Sequence, residues 1–388
     1  MNATANLKTI QTAGRGASPI SVSWHSNVDN LPDATIEGWR TLTGHGAYGE
    51  PFFQPEWFTA YARAFLKTEH SQLLLTYSGE RLTGVLPLVR KNHFFGKIPA
   101  RTLSGLSGIH SCRFDLIHDR TQSPVIASSM WRSIKANPDW VVLELLDVPE
   151  NGGCHRILQE ALVDGFLGCT WSTRRMPFMK IQPQDPFSNC PTASRTFRHR
   201  LASKNRKLAD PHPVTLRAHS DLNQGALENF LSLERQGWKG LNKSAIESSE
   251  QTLLFYRTIA QEAAHRGYLK IYSLEQNGTP IAMHLGLQMQ DCYYAPKVAY
   301  DEKLARYSPG QLLVERVIKD LSSQSVTTYD FLGPSAPWKR IWTLSARPHH
   351  NIYIFRPTVT GRFLHAAIAH GASQMRRVKY AYFGDPQG

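Results

Sequence analysis

Tyr300-Asp301-Glu302-Lys303-Leu304-Ala305-Arg306-Tyr307-Ser308-Pro309-Gly310-Gln311-Leu312-Leu313 is the stretch on which the reading of this 388-residue chain turns. An apolar run ends at Tyr300, a short polar loop follows, and Pro-Gly opens an amphipathic segment. Proline fits a first helical position because the N–H that it lacks would be unpaired there. Gly310 lets a ligand approach the backbone closely. The N–H groups of Gly310, Gln311 and Leu312 are expected to be free at this helix start and suited to phosphate oxygens, with Arg306 and Ser308 beside them. The alternative is a capped helix with no ligand.

Working outward, the residues before and after this stretch alternate as strands do. Ile281, Met283, Leu285, Leu287 and Met289 share one face, a core face. Ala282, His284, Gly286 and Gln288 share the other, small and polar enough to line a cleft. His284 is there a candidate base near neutral pH, or a hydrogen-bonded structural histidine. Cys292 to Tyr300 reads as the next strand and Gly310 to Ser322 as a helix. Thr327 to Leu332 is a further strand, with Thr328, Asp330 and Leu332 on one face. Asp330 lies at its C-terminal end, where open α/β sheets place ligands; pairing with Lys339 or Arg340 is its structural alternative.

The rest of the chain divides in two. In the first half Pro55 to Phe65 is an amphipathic helix, Gln72 to Tyr77 and Leu82 to Arg90 form a hairpin, Val141 to Leu146 is a buried strand, and His155 to Gly165 fits a helix. In the second, Ala226 to Gln236 and Gln251 to Arg266 look helical. Tyr268 to Leu274 and Pro280 to Met289 form a hairpin around Glu275-Gln276-Asn277-Gly278. The two hairpins resemble each other, which hints at a duplicated domain. Asp185 to Ala193 is polar with two prolines and reads as a linker. The expected organisation is a flexible leader over 1–27 and domains over 28–185 and 190–388. The expected fold class is α/β with mixed sheets.

Composition narrows the function. Hydrophobic residues are 41% and charged residues 19%, a globular balance. No run approaches 18 apolar residues, so no transmembrane helix is expected. Five scattered cysteines form no CxxC pair and no disulfide framework, as suits reduced thiols and a cytoplasmic location. Gly44-His45-Gly46-Ala47-Tyr48-Gly49 matches GxGxxG but precedes two prolines, so no dinucleotide-binding helix follows it. Walker A, HExxH and GxSxG sequences are missing, and the 16 histidines show no metal-ligand spacing with the cysteines. No metal is expected. The net charge of +13 points to an anionic partner.

Two stretches carry a family resemblance. One is Pro51-Phe52-Phe53-Gln54-Pro55-Glu56-Trp57 with Gly84-Val85-Leu86-Pro87-Leu88. The other is Tyr300 to Leu313 with Asp330-Phe331-Leu332-Gly333 and Trp338-Lys339-Arg340-Ile341-Trp342. With these the chain resembles the CelD/BcsL-like acetyltransferases, a branch of the GNAT superfamily close to the FemAB proteins. The resemblance implies two tandem GNAT-like domains and transfer of an acyl group from acyl-CoA or an acyl carrier protein to an amine. It implies that Tyr293 to Val298 binds the pantetheine arm through its backbone. His284 or Asp330 would take the ammonium proton, and Tyr294 or Tyr300 would protonate the thiolate or hold the oxyanion. Gln288, Trp338 and Lys339 would contact the acceptor. The usual pyrophosphate loop, Q/R-x-x-G-x-G/A, is replaced by Arg306-Tyr307-Ser308-Pro309-Gly310-Gln311-Leu312, with altered spacing and one glycine. That leaves coenzyme A, a carrier protein or aminoacyl-tRNA open as donor. The expected acceptor is an amino sugar of a surface polysaccharide or an amine-bearing lipid such as a sphingoid base. The alternatives are a FemAB-type aminoacyl-tRNA-dependent transferase and a non-catalytic scaffold.

Arg195, Arg198, Arg200, Lys204, Arg206 and Lys207 form a basic stretch, with Phe197, Leu201 and Leu208 as one apolar stripe. A solvated face, a dock for an acidic carrier protein, anionic lipid or CoA phosphates, and a tRNA surface compete for it. Aromatic interleaving is missing, so nucleic acid is not expected. Phe363 to Tyr380, ending in Arg376, Arg377 and Lys379, reads as an amphipathic helix for peripheral contact with the inner membrane face, or as one packed on the core.

Overall fold

The structure, a computed structural model, describes residues 7–8, 19–44, 46–66, 71–95, 97–191 and 193–369. In chain order the elements begin with β1 (Leu7–Lys8), β2 (Ile20–Ser26), α1 (Asp33–Thr43), α2 (Pro55–Phe65), β3 (Ser71–Ser78), β4 (Arg81–Phe95) and β5 (Ile98–Gly105). Then come β6 (Ile117–His118), α3 (Ser123–Ala136), β7 (Val142–Pro149), α4 (Cys154–Val163), β8 (Leu167–Lys180) and α5 (Ala193–Leu208). The chain continues with β9 (Val214–His219), α6 (Ala226–Gln236), α7 (Trp238–Leu241), α8 (Glu250–His265), β10 (Ile271–Gln276), β11 (Thr279–Met289) and β12 (Cys292–Tyr300). It closes with α9 (Pro309–Ser323), β13 (Thr328–Asp330), α10 (Pro337–Arg340), β14 (Ala346–Phe355) and a helix over 359–369.

These elements form two compact units, neither continuous in sequence. One holds residues 1–48, 66–173 and 350–388; the other holds 49–65 and 174–349. The linker read over 185–193 therefore lies inside the second unit. In the first unit β2, β3, β4 and β5 follow one another antiparallel, and β7 returns parallel to β5 after α3. In the second, β9, β10, β11 and β12 are antiparallel, and β13 returns parallel to β12 after α9. Each unit is thus a mixed α/β sheet with one strand plan, and the two similar hairpins, β3–β4 and β10–β11, hold the same place in it. Their turns carry positive φ at Gly79 (+62°) and at Asn277 and Gly278 (+52° and +71°), which right-handed twist demands of tight hairpins.

The flexible leader expected over 1–27 is corrected over its last part, which is a strand. Ile20–Ser26 pairs along β3, and Ile20 and Val22 are buried, because apolar residues two apart fall on one strand face. At the other end a helix covers 359–369, with Leu364 and Ile368 in a core cluster and Phe363 exposed. Arg376, Arg377 and Lys379 lie outside the described residues. In the second unit the main core lies between the sheet and the α5 and α9 helices: Leu201, Leu208, Leu312, Leu313, Val317 and Leu321 pack on Tyr272, Tyr293 and Tyr329. The apolar stripe of the basic helix is this packing face, with Leu201 and Leu208 buried and Phe197 half-buried.

Candidate functional site

The site begins with a fault in the β11–β12 ladder. Leu285 faces Lys297 and Leu287 faces Tyr294, so the single residue Gly286 is opposed by two, Ala295 and Pro296. This is a β-bulge, and it accounts for a proline inside a strand, because the unpaired bulge position needs no ladder N–H. A Cβ at Gly286 would fall 2.1 Å from the Tyr293 hydroxyl and 2.5 Å from the Lys270 carbonyl oxygen, so the turn of the ladder requires glycine. Beside the bulge the sheet opens. β13 pairs with β12 only at Cys292, Tyr293 and Tyr294 and stops at Asp330, while β12 runs on to Tyr300. The backbone from Ala295 onward therefore has no strand partner on that side among the described residues. A slot between two diverging parallel strands can receive an extended chain that hydrogen-bonds to the exposed edge.

The bulge also changes which side chains meet. In an even strand Tyr294 and Tyr300 would share a face. Here Tyr300 pairs with Ala282 and Val298 with His284, whereas Tyr294 pairs with Leu287. His284 and Tyr300 thus share the α9 side, and Tyr294 and its parallel neighbour Asp330 take the other. The face of Ala282, His284, Gly286 and Gln288 is no cleft wall over its inner part. Ala282 and His284 are buried beneath α9, with Tyr272 donating to Asp320 on that helix at 2.5 Å. His284 Nδ1 lies 3.4 Å from the Tyr329 hydroxyl. Burial disfavours its charged form and pushes its pKa down to about 3. Tyr300 is half-buried, and burial moves its pKa the other way, up from the usual phenol range, so it keeps its proton. At the strand's outer end Gln288 is half-buried, and its Oε1 lacks a hydrogen-bond partner among the described residues.

His284 yields a measurable consequence. The unfolded chain binds a proton below about pH 6.5, the native one only near 3. Stability from this group is therefore complete above pH 6.5 and falls by about 1.4 kcal/mol per unit as the pH drops toward 3. The Asp115 carboxyl, pushed up to about 6 by burial, acts in the opposite sense below that pH. Urea titrations of wild type and His284→Gln across pH 4.5 to 7.5 isolate the histidine: the difference between them is expected to shrink steadily on acidification. A constant difference would rule out a buried neutral imidazole.

On the other face, Asp330 is fully buried and accepts from the Leu332 N–H at 2.9 Å and from Arg347 Nη1 at 2.6 Å. Arg347 is an ion-pair partner of Asp330 that sequence proximity did not suggest. The Arg347 guanidinium stacks 3.9 Å over the Phe178 ring. The expected strand to Leu332 stops at Asp330, because Leu332 and Gly333 turn at φ of 49° and 57°. Lys339 is drawn into that turn, donating to the Leu332 and Pro334 carbonyls, and sits 5.3 Å over the Trp338 ring. Trp338 in turn meets Phe331 edge-on. Lys339 and Trp338 therefore shape the loop after β13.

The loop before α9 differs from its sequence reading. Glu302–Tyr307 is a 3-10 turn, and Ser308 takes a left-handed φ of 58° before Pro309 opens the helix. As the N-cap residue, Ser308 accepts through its carbonyl from both the Gln311 N–H at 3.0 Å and the Leu312 N–H at 3.1 Å, the bonds that start the helix. Of the three N–H groups expected to be free, only that of Gly310 has no such acceptor. The Gln311 side chain accepts from Trp342 Nε1 at 2.7 Å, and Leu312 is in the core. The Ser308 hydroxyl accepts from Lys204 at 2.8 Å, and the exposed Arg306 lies 4.7 Å over the Tyr307 ring.

Several contributors were not legible beforehand. Residues 49–65 join this unit from the first half of the sequence. Phe52 meets Tyr294 edge-on at 5.3 Å, Trp57 meets Phe255, and buried Glu56 receives Tyr268 and Arg266 at 3.2 and 3.3 Å. Lys239 bridges Glu234 on α6 and the Val298 carbonyl just past the bulge, at 2.8 and 2.7 Å. Their only sequence signals were buried-type aromatics at helical spacing and an acid five residues before a lysine. Among the described residues no group of three His, Cys, Asp or Glu side chains is placed to hold a metal, and no helix is long and apolar enough to cross a membrane.

Residues 195–340 match the family model of an acetyltransferase (GNAT) domain. No curated protein matches the chain. Among solved structures it is similar to FemX, with TM-score 0.54, 11% identity, and 82% of this chain and 95% of that one covered. It is also similar to the C-terminal domain of a candidate lysylphosphatidylglycerol synthetase from Agrobacterium fabrum, with TM-score 0.51, 9% identity, and 86% and 95% covered. A conserved protein of unknown function from Bacteroides thetaiotaomicron matches at TM-score 0.50, 11% identity, and 84% and 99% covered. At these identities the likeness is one of fold. The matched segment contains the bulged strand, the opening beside it and the turn into α9, and with that segment the chain carries an acetyltransferase (GNAT) domain and is an acyltransferase enzyme of that type.

Proposed function

We propose that the protein is an N-acyltransferase of the CelD/BcsL-like kind that moves an acyl group from a thioester donor, acyl-CoA or acyl carrier protein, to an amine. The observation that carries this reading is the bulged β12 edge opening away from β13, directly followed by the turn into α9. In it the pantetheine arm lies along Tyr293 to Val298 and the phosphate lies near Ser308 and Gly310, with Arg306 at hand. The acceptor's ammonium loses a proton, its nitrogen bonds to the thioester carbonyl carbon and gives up a second proton, and the C–S bond breaks with release of a thiolate that takes up one proton, leaving an amide, a thiol and one net proton. Asp330 is the group proposed to draw the ammonium proton, and Tyr294, its neighbour across the strands, to donate toward the thiolate or the oxyanion. Tyr300 is the second candidate donor. His284, held at a pKa of about 3, is a weak base at neutral pH and is assigned a positioning role through Tyr329. Gln288, Trp338 and Lys339 are proposed to border the acceptor.

The acceptor proposed is an amino sugar of a surface polysaccharide or an amine-bearing lipid such as a sphingoid base, met in the cytoplasm or at the inner membrane face. The test is thermal unfolding with coenzyme A, acetyl-CoA and a long-chain acyl-CoA. A ligand at about 100 times its Kd is expected to stabilise by about 2.7 kcal/mol. Gly310→Glu, whose carboxylate would face the donor's phosphate, is expected to abolish the shift without lowering the ligand-free melting point much, because Gly310 is half-buried with only the Tyr300 ring nearby. A shift that survives Gly310→Glu would move the donor elsewhere. The basic surface also suits a second reading, transfer from aminoacyl-tRNA, which requires binding that collapses with salt.

A further inference from the structure

The α5 helix offers more than a packed stripe. Arg200, Lys204 and Lys207, at i, i+4 and i+7, form one row on its surface. The middle member donates to the Ser308 hydroxyl at 2.8 Å, so the row runs past the turn that opens α9. The exposed Lys303 and Arg306 stand on the 3-10 turn that ends at the same serine. Arg200, Lys207, Lys303 and Arg306 are all exposed, and among the described residues none has an ion-pair partner. Unneutralised cations clustered at one spot in a chain of net charge +13 are a surface for an acidic partner.

The turn itself indicates which partner. Coenzyme A brings a pyrophosphate and a further phosphate. Here Pro309 has no N–H, and those of Gln311 and Leu312 are taken by the Ser308 carbonyl. One backbone donor, Gly310, fits a single phosphodiester better than a pyrophosphate. A carrier protein supplies that pattern: one phosphodiester on the prosthetic arm, and acidic side chains around the serine that bears it. Resting on the acyl-transfer reading, we propose that Arg200, Lys204, Lys207, Lys303 and Arg306 form the docking face for an acidic acyl carrier protein, which delivers the thioester past Ser308 into the β12–β13 opening.

The probe is a purified acyl carrier protein carrying a long-chain acyl phosphopantetheine, titrated into the full-length protein at low and at physiological salt. Binding is expected to weaken with salt and to weaken at least about tenfold in the Arg200→Glu, Lys207→Glu double variant. Both side chains are exposed, so the variant's melting point is expected to match wild type. Arg200→Lys with Lys207→Arg should retain binding. No binding by wild type, or equal binding by the charge-reversed variant, overturns the proposal. Binding of bulk charged tRNA in its place, lost in the same variant, overturns it in favour of nucleic acid. Turnover is read in parallel with acyl-CoA and with the acylated carrier. Carrier binding without turnover of either thioester would sink the acyl-transfer reading and leave the docking face standing. Acyl-CoA turnover without carrier binding does the reverse.

Discussion

Gly286→Ala is expected to destabilise the protein by about 2–3 kcal/mol, the cost of overpacking a filled core. The added methyl would meet the Tyr293 hydroxyl at 2.1 Å, its Cζ at 2.4 Å and the Lys270 carbonyl oxygen at 2.5 Å. The first two belong to a side chain that is itself fully buried against Tyr272 and Tyr329, and the third is backbone. Neither can retreat cheaply. Relief would come from moving β11 away from β12 at the bulge, which would also shift the open edge. Thioester-induced stabilisation is therefore expected to fall together with the denaturant midpoint. Adding Tyr293→Leu should recover part of the stability and not all of it, because the Lys270 carbonyl stays in place. An alanine variant as stable as wild type would show that the Tyr293 ring is not seated under Gly286.

Arg347→Met is expected to cost about 2–3 kcal/mol, at or below the low end for breaking a buried pair, because the arginine is about a third exposed. Its partner is the decisive term: Asp330 is fully buried, and loss of Arg347 removes the guanidinium that balances its charge. Asp330→Asn in the same background should return much of the stability, since no charge then remains to be stranded. The double-mutant cycle reads this as a coupling energy, measured by urea denaturation at unchanged m. Turnover separates structure from chemistry. In the proposed mechanism Asp330→Asn alone lowers kcat by about 10²-fold or more, and the stability-restored double variant stays inactive. Activity restored along with stability would reduce Asp330 to a structural residue.

The outlines of the second unit were legible because local chemistry and tertiary packing agree there. The strands over Ile281 to Met289 and Cys292 to Tyr300 and the helix from Pro309 form where their apolar runs and the helical period place them, although burial along the two strands does not alternate. The Asn277-Gly278 turn and the Pro309-Gly310 helix start are backbone preferences of single residues, and they stand where they were read. Ile20–Ser26 was missed because its Ser-rich alternation resembles a polar tail until a neighbour strand covers Ile20 and Val22. The Arg347 partner of Asp330 was missed because an ion pair across 17 residues has no sequence signature.

The sequence by itself determined the run from the β10–β11 hairpin through β12 to α9, the basic helix with its apolar stripe and the kinship with acyltransferases. Those follow from side-chain periodicity and from what proline and glycine do to their own backbone. The tertiary structure alone decided which side chains share the site. One extra residue at Ala295–Pro296 reverses strand parity, sending Tyr300 to the His284 face and leaving Tyr294 with Asp330 on the other. It also decided which donors remain at the turn, because the helix starts with Ser308 as its N-cap and that carbonyl takes the N–H groups of Gln311 and Leu312. It brought residues 49–65 across the chain to cover Tyr294. Register, hydrogen-bond competition and long-range burial depend on groups far apart in sequence, and only the folded chain brings them within reach of one another.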